Sequence, residues 1–231
     1  MPGWRLAVVV PARNEQQLLA RCLESVAVAA AASRALPRRT PVDVVVVADS
    51  CTDDTAAIAR SFAGVTVIET AVASVGAARR IGVDAVLASS AARFDRLWIA
   101  STDADSVVPA NWLVEQAAIA RRGAELVLGT VTPDFADLSP EQQRAWRGRR
   151  TVGEVHGANL GIRADSYLAV GGFAPIAEHE DVDLVARCIA AGVSLLATDA
   201  CDVGTSGRQH GRTPGGYARF LRSDLLADPA P

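Results

Sequence analysis

The stretch VDVVVVADSCTDDTAAIARSFA, residues 42–63, decides the fold. It holds an almost unbroken apolar run, Val44 to Ala48, too short for a buried helix and too uniformly apolar for a strand with one wet face. Such a run fits a central parallel strand covered on both sides. The chain then turns polar through Asp49, Ser50 and Asp53 and resumes with alanine-rich helical spacing. Strand, polar turn and helix make one β-α step.

The same step recurs on either side. LAVVVPA (6–12) precedes NEQQLLARCLESVAVAA (14–30), VTVIET (65–70) precedes VGAARRIGVDAVLASSA (75–91), and RLWIAST (96–102) precedes PANWLVEQAAIARRG (109–123). A βαβ series of this kind predicts an α/β fold: a mostly parallel central sheet flanked by helices in a single Rossmann-like domain. The pattern loosens after residue 123. AELVLGTVTP reads as a strand, SPEQQRAWRGRRTVGE as a helix opened by Ser-Pro, and GANLGIRADSYLAVGGF as a short strand and a helical turn. EDVDLVARCIAAG reads as a helix, VSLLATDA as a late strand, and SGRQHGRTPGGYARFLRSDLLADPAP as a Gly/Arg-rich loop with a helix. No linker separates the halves, so residues 1–231 are expected to form one domain. Residues 1–123 supply its nucleotide-binding half and 124–231 its acceptor-side half and C-terminal loop and helix.

Composition narrows the chemistry. The chain of 231 residues is 50% hydrophobic with a formal charge of −3, and its basic residues are all arginines, scattered rather than striped. Nucleic acid is not an expected partner. With no lysine in the sequence, Schiff-base and P-loop lysine chemistry are excluded. Four cysteines stand far apart without a CxxC pair and read as reduced, mostly buried thiols. No apolar run reaches the ~18 residues that would span a bilayer, and no signal peptide is evident. The expectation is a cytoplasmic protein, with peripheral contact at the inner membrane face left open.

In open parallel sheets, ligands bind outside the carboxyl ends of the strands. Those ends read PARNE, ADSCTDD, ETAVASVG and STDADS, so polar groups converge on one rim. Within WIASTDADSVVP (98–109), Asp103 and Asp105 form a D-x-D pair at a strand end, and side-chain alternation turns both carboxylates to one face. Mg²⁺ or Mn²⁺ takes one or two such carboxylates together with substrate phosphates. The competing reading makes Asp105 or Ser106 the N-cap of a helix starting near Pro109.

Six segments, VVVPARNEQQLLARCLESV, VVVVADSCTDDTAAIA, SVGAARRIGV, LWIASTDADSVVPANWL, GANLGIRADSYLAVGGF and HEDVDLVARCIAAG, resemble in order and spacing those of family 2 glycosyltransferases of GT-A fold, over about residues 5 to 195. The resemblance implies nucleotide contacts from Pro11, Ala12, Arg13 and Glu15, and base reading by Asp49 with Ser50 and Asp53 beside it. Asp53 reads equally as a turn former. Gly76 and Arg79 are matched to a Gly-x-x-x-Arg-Asn stretch with the Arg near base or phosphate, although the spacing here is Gly-x-x-Arg and Arg80 replaces the Asn. Asp105 is implied as metal ligand, with Asp103 reaching ribose or metal and Ala104 between them. Gly157, Ala158 and Asn159 correspond to a platform beside sugar and acceptor, and Glu180 and Asp181 to an acid pair whose Asp is the catalytic base.

The physical case for Asp181 is separate. An inverting transfer needs one carboxylate to take the acceptor's hydroxyl proton, and a neighbouring Glu raises its proton affinity. Helix-dipole complementation explains both acids as well. Asp183, about 200° around the helix, faces elsewhere. His210, between Arg208 and Arg212, falls where similar enzymes have a loop closing over the diphosphate, with the His on the metal and the arginines on the leaving phosphate. His156 and His179 have weaker claims. WRGRR (146–150) reads as a grip for an anionic acceptor or as a solvated basic face.

The expected partners are a UDP- or GDP-linked sugar donor, an unidentified hydroxyl acceptor, and Mn²⁺ or Mg²⁺ as cofactor; a homodimer is left open. A metal-dependent nucleotidyltransferase and a non-catalytic nucleotide-sugar binding protein stand as alternatives. The first strand is followed by PARNE rather than a Gly-rich loop, which disfavours nucleotidyltransferases and dehydrogenases. The absence of a Q-x-x-R-W pattern disfavours processive polysaccharide synthesis.

Overall fold

The computed structural model describes residues 3–34, 40–211, 213 and 215–227. Four β-α steps appear where the apolar runs place them. β1 (Arg5–Ala12) leads to α1 (Leu19–Arg34), β2 (Val42–Asp49) to α2 (Thr55–Ser61), β3 (Val65–Thr70) to α3 (Val75–Ser89), and β4 (Leu97–Ser101) to α4 (Trp112–Arg121). β5 (Leu126–Pro133), α5 (Pro140–Arg149), β6 (Leu160–Arg163), α6 (Ala164–Ala169), α7 (Glu180–Ala190) and β7 (Leu195–Thr205) follow. α8 (Tyr217–Arg219) runs into a π-helical turn, Phe220–Asp224.

The strands form one sheet in the order β3-β2-β1-β4-β6-β5-β7. β6 alone among them is antiparallel to its neighbours. Side-chain alternation along β1 divides the core. Leu6, Val8 and Val10 pack with α1 and α4, whereas Ala7 and Val9 pack with α3 and α7 on the opposite face. With helices on both faces, the sheet can be apolar on both, which is why its strands read as continuous runs.

The reversal of β6 positions part of the site. A parallel strand delivers its carboxyl end to the ligand-binding rim. A reversed strand delivers its amino end, and so Gly157–Asn159, the 3₁₀ turn just before β6, arrives there. β7 runs further than VSLLATDA predicts. Its register against β5 shifts between Gly129 and Val131, and the strand resumes through Cys201–Thr205, which brings Thr205 beside Ser106.

α5 starts as Ser-Pro predicts. Ser139 accepts from the Gln142 N–H, and the Gln142 side chain accepts from the Ser139 N–H, closing a capping box. α4 starts at Trp112 with Asn111 as its N-cap, later than Pro109. Neither Asp105 nor Ser106 caps it. No described helix is long and apolar enough to cross a membrane.

Candidate functional site

A cavity of about 900 Å³ opens at the carboxyl edge of the sheet. One wall comes from strand ends: Pro11 and Ala12 at the end of β1 with Arg13 and Glu15 after it, Asp49 at the end of β2, and Asp103, Ala104 and Asp105 after β4. Gly157 and Ala158 line it from the start of β6, Glu180 and Asp181 from the start of α7, and Arg208 from the segment after β7. Residues scattered along the chain therefore share one cleft.

The rim carries backbone strain. Among the described residues, the non-glycine positions with left-handed backbone are Asn14 (φ 52°), Ser50 (φ 53°), Ala73 (φ 52°) and His179 (φ 59°). Each lines the cavity or adjoins a residue that does. Such conformations cost roughly 1–3 kcal/mol apiece and cluster at sites where geometry is imposed by the surroundings. At Ala73 the imposing group is Asp49, whose carboxylate accepts from the Ala73 N–H at 2.9 Å and the Ser74 N–H at 3.0 Å. Asp49 thus shapes the β3–α3 connection as well as facing the cleft.

Asp103 and Asp105 lie beyond the end of β4, in a turn closed by the Ser106 N–H donating to the Asp103 carbonyl at 3.1 Å. The turn, rather than strand pleating, brings the two carboxylates together. Burial first, and then the charge of Asp103, pushes the Asp105 carboxyl up to about 6, with Arg208 opposing. Arg208 spans the acids: its guanidinium donates to both Glu15 oxygens at 2.6 and 2.9 Å and lies 3.0 Å from Asp105 Oδ2. It holds carboxylates of two strand ends rather than standing free for a phosphate.

Arg79 also departs from expectation. Only 4% of its side chain is exposed, and it bridges Glu180 through Nη1 and Asp103 Oδ1 through Nη2 at 2.5 Å, with its guanidinium carbon 5.8 Å from the centre of the Phe173 ring. It is the internal tie between the D-x-D turn and α7. Glu180, paired with Arg79, is therefore not a bare charge beside Asp181. A Cβ on Gly157 would lie 2.4 Å from Arg79 Nη2, so the platform needs glycine there to pass over the guanidinium. Gly76 does not line the cavity; a Cβ on it would lie 2.2 Å from the Ala174 carbonyl oxygen, so its place is the close packing of α3 under the loop before α7.

Asp181 faces the cavity with its carboxylate aimed by two amides, Oδ2 accepting from the Gly157 N–H at 2.7 Å and Oδ1 from the Val182 N–H at 2.9 Å. Each oxygen keeps a lone pair. Asp183 is turned away and pairs with Arg187. Asn159 is fully buried, accepting from the Trp112 indole and donating to the Thr130 and Cys201 carbonyls, so its amide braces the platform from beneath and does not enter the cleft.

His210 is exposed and does not line the cavity, whereas His156 and His179 do. Arg212 lies outside the described residues. Asp53 is a turn former, accepting from Thr55 and the Gln16 N–H. In WRGRR, Arg150 binds Thr130 and Asp202, Arg149 reaches the Asp224 and Ala227 carbonyls, and Arg147 lies over Phe135. That cluster serves its own fold. Sequence reading missed the wall formed by Val155, Tyr217 and Phe220; the signal for it is the i, i+3 aromatic pair in YARF.

Seven carboxylates and three arginines line the cavity among the described residues. No described group of three or more His, Cys, Asp or Glu is arranged to hold a metal ion alone. A surplus of hard oxygen donors without a complete protein shell fits a Mg²⁺- or Mn²⁺-type ion whose coordination is finished by ligand phosphates and water.

Residues 7–167 match glycosyl transferase family 2. A 64-residue stretch is 38% identical to 4,4'-diaponeurosporenoate glycosyltransferase of Staphylococcus aureus, covering 28% of this chain and 14% of that one. Staphylococcus aureus TarS (residues 1–349) in complex with UDP-GlcNAc superposes over 92% of this chain and 61% of its own, with TM-score 0.67 and 18% identity. The mannosyltransferase PcManGT from Pyrobaculum calidifontis, in complex with GDP-Man and Mn²⁺, superposes over 92% and 59%, with TM-score 0.64 and 20% identity. At such identities the likeness is one of fold, and the chain spans about three fifths of the length of these structures and a much smaller part of the curated relative.

Proposed function

Because this chain belongs to glycosyl transferase family 2 and folds as its GT-A domain, we propose that it moves a sugar from a nucleoside diphosphate donor to a hydroxyl acceptor, with inversion at the anomeric carbon and Asp181 as base. The observation that carries this reading is the shared cavity: the carboxylate of Asp181 faces the same space as Asp49, Asp103 and Asp105.

The nucleoside lies against Pro11, Ala12, Arg13 and Asp49, where strand ends give both shape and acceptors for a base. Asp105, with Asp103, would hold the divalent ion. When bound, that ion offsets the negative charge of the diphosphate in a cleft already rich in carboxylates. UDP-GlcNAc and GDP-Man in the structural relatives support a UDP- or GDP-linked donor.

Asp181 then does the proton work. The acceptor hydroxyl gives its proton to the carboxylate as its oxygen bonds to the anomeric carbon; the carbon–oxygen bond to the diphosphate breaks on the opposite face, and that electron pair leaves with the nucleoside diphosphate. The Gly157 and Val182 amides hold Asp181 in line, a constraint that converts an encounter into an oriented attack. Glu180 and Arg79 are positioning residues, fixing the start of α7 against the D-x-D turn. Arg208, with its carboxylates already engaged, acts as their counterion before the donor arrives.

The test is a thermal-shift panel of UDP, GDP, ADP, CDP and TDP with and without Mn²⁺, paired with release of nucleoside diphosphate from the corresponding sugar donors. Metal-dependent stabilisation by one or two nucleotides, with matching donor hydrolysis, is expected. Absence of both overturns the proposal.

A further inference from the structure

The part of the cavity beyond Asp181 differs in chemistry from the donor side. Its side chains include Val155, Ala177, Val182, Tyr217 and Phe220, and its charged groups are carboxylates: Glu154, Glu180 and Asp181. The arginines lining the cavity among the described residues are Arg13, Arg79 and Arg208. The last two are engaged with carboxylates around the D-x-D turn, and Arg13 follows β1 on the donor side. Arg149 and Arg150 line a small second cavity that shares Tyr217 and Phe220 with this one; Arg150 is bound to Asp202 and Thr130, and Arg149 to backbone carbonyls.

The aromatic wall is built rather than incidental. Tyr217 and Phe220 stack with centroids 5.7 Å apart and ring planes 26° from parallel, and His156 meets the Tyr217 ring edge-on at 5.9 Å. The Tyr217 hydroxyl accepts from the Trp146 indole at 2.9 Å, which anchors its polar tip within the wall. Burial lowers the proton affinity of His156, so this ring too is neutral near pH 7. Val182, directly after the base, is 46% exposed. Val152 and Ile176, next in sequence to the lining residues Gly153 and Ala177, are exposed at 50% and 41%. Exposed apolar side chains thus stand in sequence beside residues that line the cavity, a composition suited to an apolar ligand body.

Resting on the transferase reading, we propose that this half-cavity receives an uncharged acceptor, an alcohol carried on an apolar body such as a long alkyl chain or a terpenoid. An acceptor bearing phosphate or carboxylate near its reacting hydroxyl meets the like charges of Glu154 and Asp181 here, while Arg79 and Arg208 are already engaged by carboxylates. A free sugar leaves the apolar wall without a matching surface and must give up water from hydroxyls that find few partners.

The experiment uses the full chain with Mn²⁺ and whichever of UDP-glucose, UDP-GlcNAc and GDP-mannose it hydrolyses. Dodecanol and geraniol are compared with glucose and 3-phosphoglycerate, and glycoside formation is read by mass spectrometry. The apolar alcohols are expected to exceed the phosphorylated acceptor in kcat/KM by at least about 10-fold, a difference of roughly 1.4 kcal/mol. Val182→Arg should raise KM for the apolar alcohols by a similar factor, because a charge then stands at the mouth of their pocket. Donor hydrolysis with preference for glucose or 3-phosphoglycerate, or with no transfer to either apolar alcohol, overturns the acceptor assignment and leaves the transferase reading standing. Absence of nucleotide binding and of donor hydrolysis overturns that reading instead.

Discussion

Replacing Arg79 by methionine tests the internal tie between the D-x-D turn and the start of α7. The substitution keeps most of the side-chain volume and removes the cation between Glu180 and Asp103. Glu180, whose side chain is 4% exposed, then becomes a buried carboxylate without its partner, and removing one member of a buried pair costs about 3–5 kcal/mol. Asp103, 37% exposed, regains water and adds little. For a chain of this size each kcal/mol lowers Tm by about 2–4 °C, so R79M should melt roughly 6–20 °C below the parent. Urea and thermal denaturation of R79M, E180M and R79M/E180M provide the measurement. Because the double variant buries no uncompensated charge, it should regain most of the loss. A single variant within about 0.5 kcal/mol of the parent, or a double variant no more stable than R79M, would refute the pairing as an energetic link.

Asp181→Asn should leave nucleoside diphosphate binding nearly intact and cut transfer by a factor on the order of 10² or more, measured by product formation; equal loss of binding and transfer would make Asp181 structural. Asp105→Ala should abolish the Mn²⁺-dependent part of the thermal stabilisation by UDP or GDP, and an unchanged metal dependence would move the ligand elsewhere. Ser139→Ala removes the cap of α5 and should cost about 1 kcal/mol, a Tm change of roughly 2–4 °C. Burial holds the His156 pKa below its ordinary value of 6.5, so the folded state binds that proton less readily than the unfolded one. Stability is therefore lost as pH falls below 6.5, and His156→Gln should flatten that slope in urea titrations between pH 8 and 5; parallel slopes would contradict the assignment.

The parallel strands and the rim were legible because both rest on local patterns: valine-rich runs long enough for a strand and polar residues where each run stops. Strand direction is not written in such runs, and nothing in GANLGIRADSY tells that β6 runs backward or why Gly157 reaches the cleft. The acids at 103, 105, 180 and 181 were readable as candidates, but their counterions were not, since Arg79 and Arg208 find partners up to 193 residues away. His210 and Asn159 illustrate the two ways a polar residue at the expected place leaves the site, one turned to solvent and the other drawn into the core. The pleating argument for Asp103 and Asp105 failed because β4 ends at Ser101.

Asn159 also sets where this scaffold can be re-aimed. One amide is held at once by α4, β5 and β7, so the floor under Gly157 and Ala158 cannot shift without disturbing a helix and two strands. The wall at residues 215–220 begins with two glycines and is borne on a three-residue helix and a π turn. If the acceptor lies where we propose, libraries directed at residues 215–220 and Val182 are the ones to change its choice, and randomising the floor should yield mostly unfolded clones.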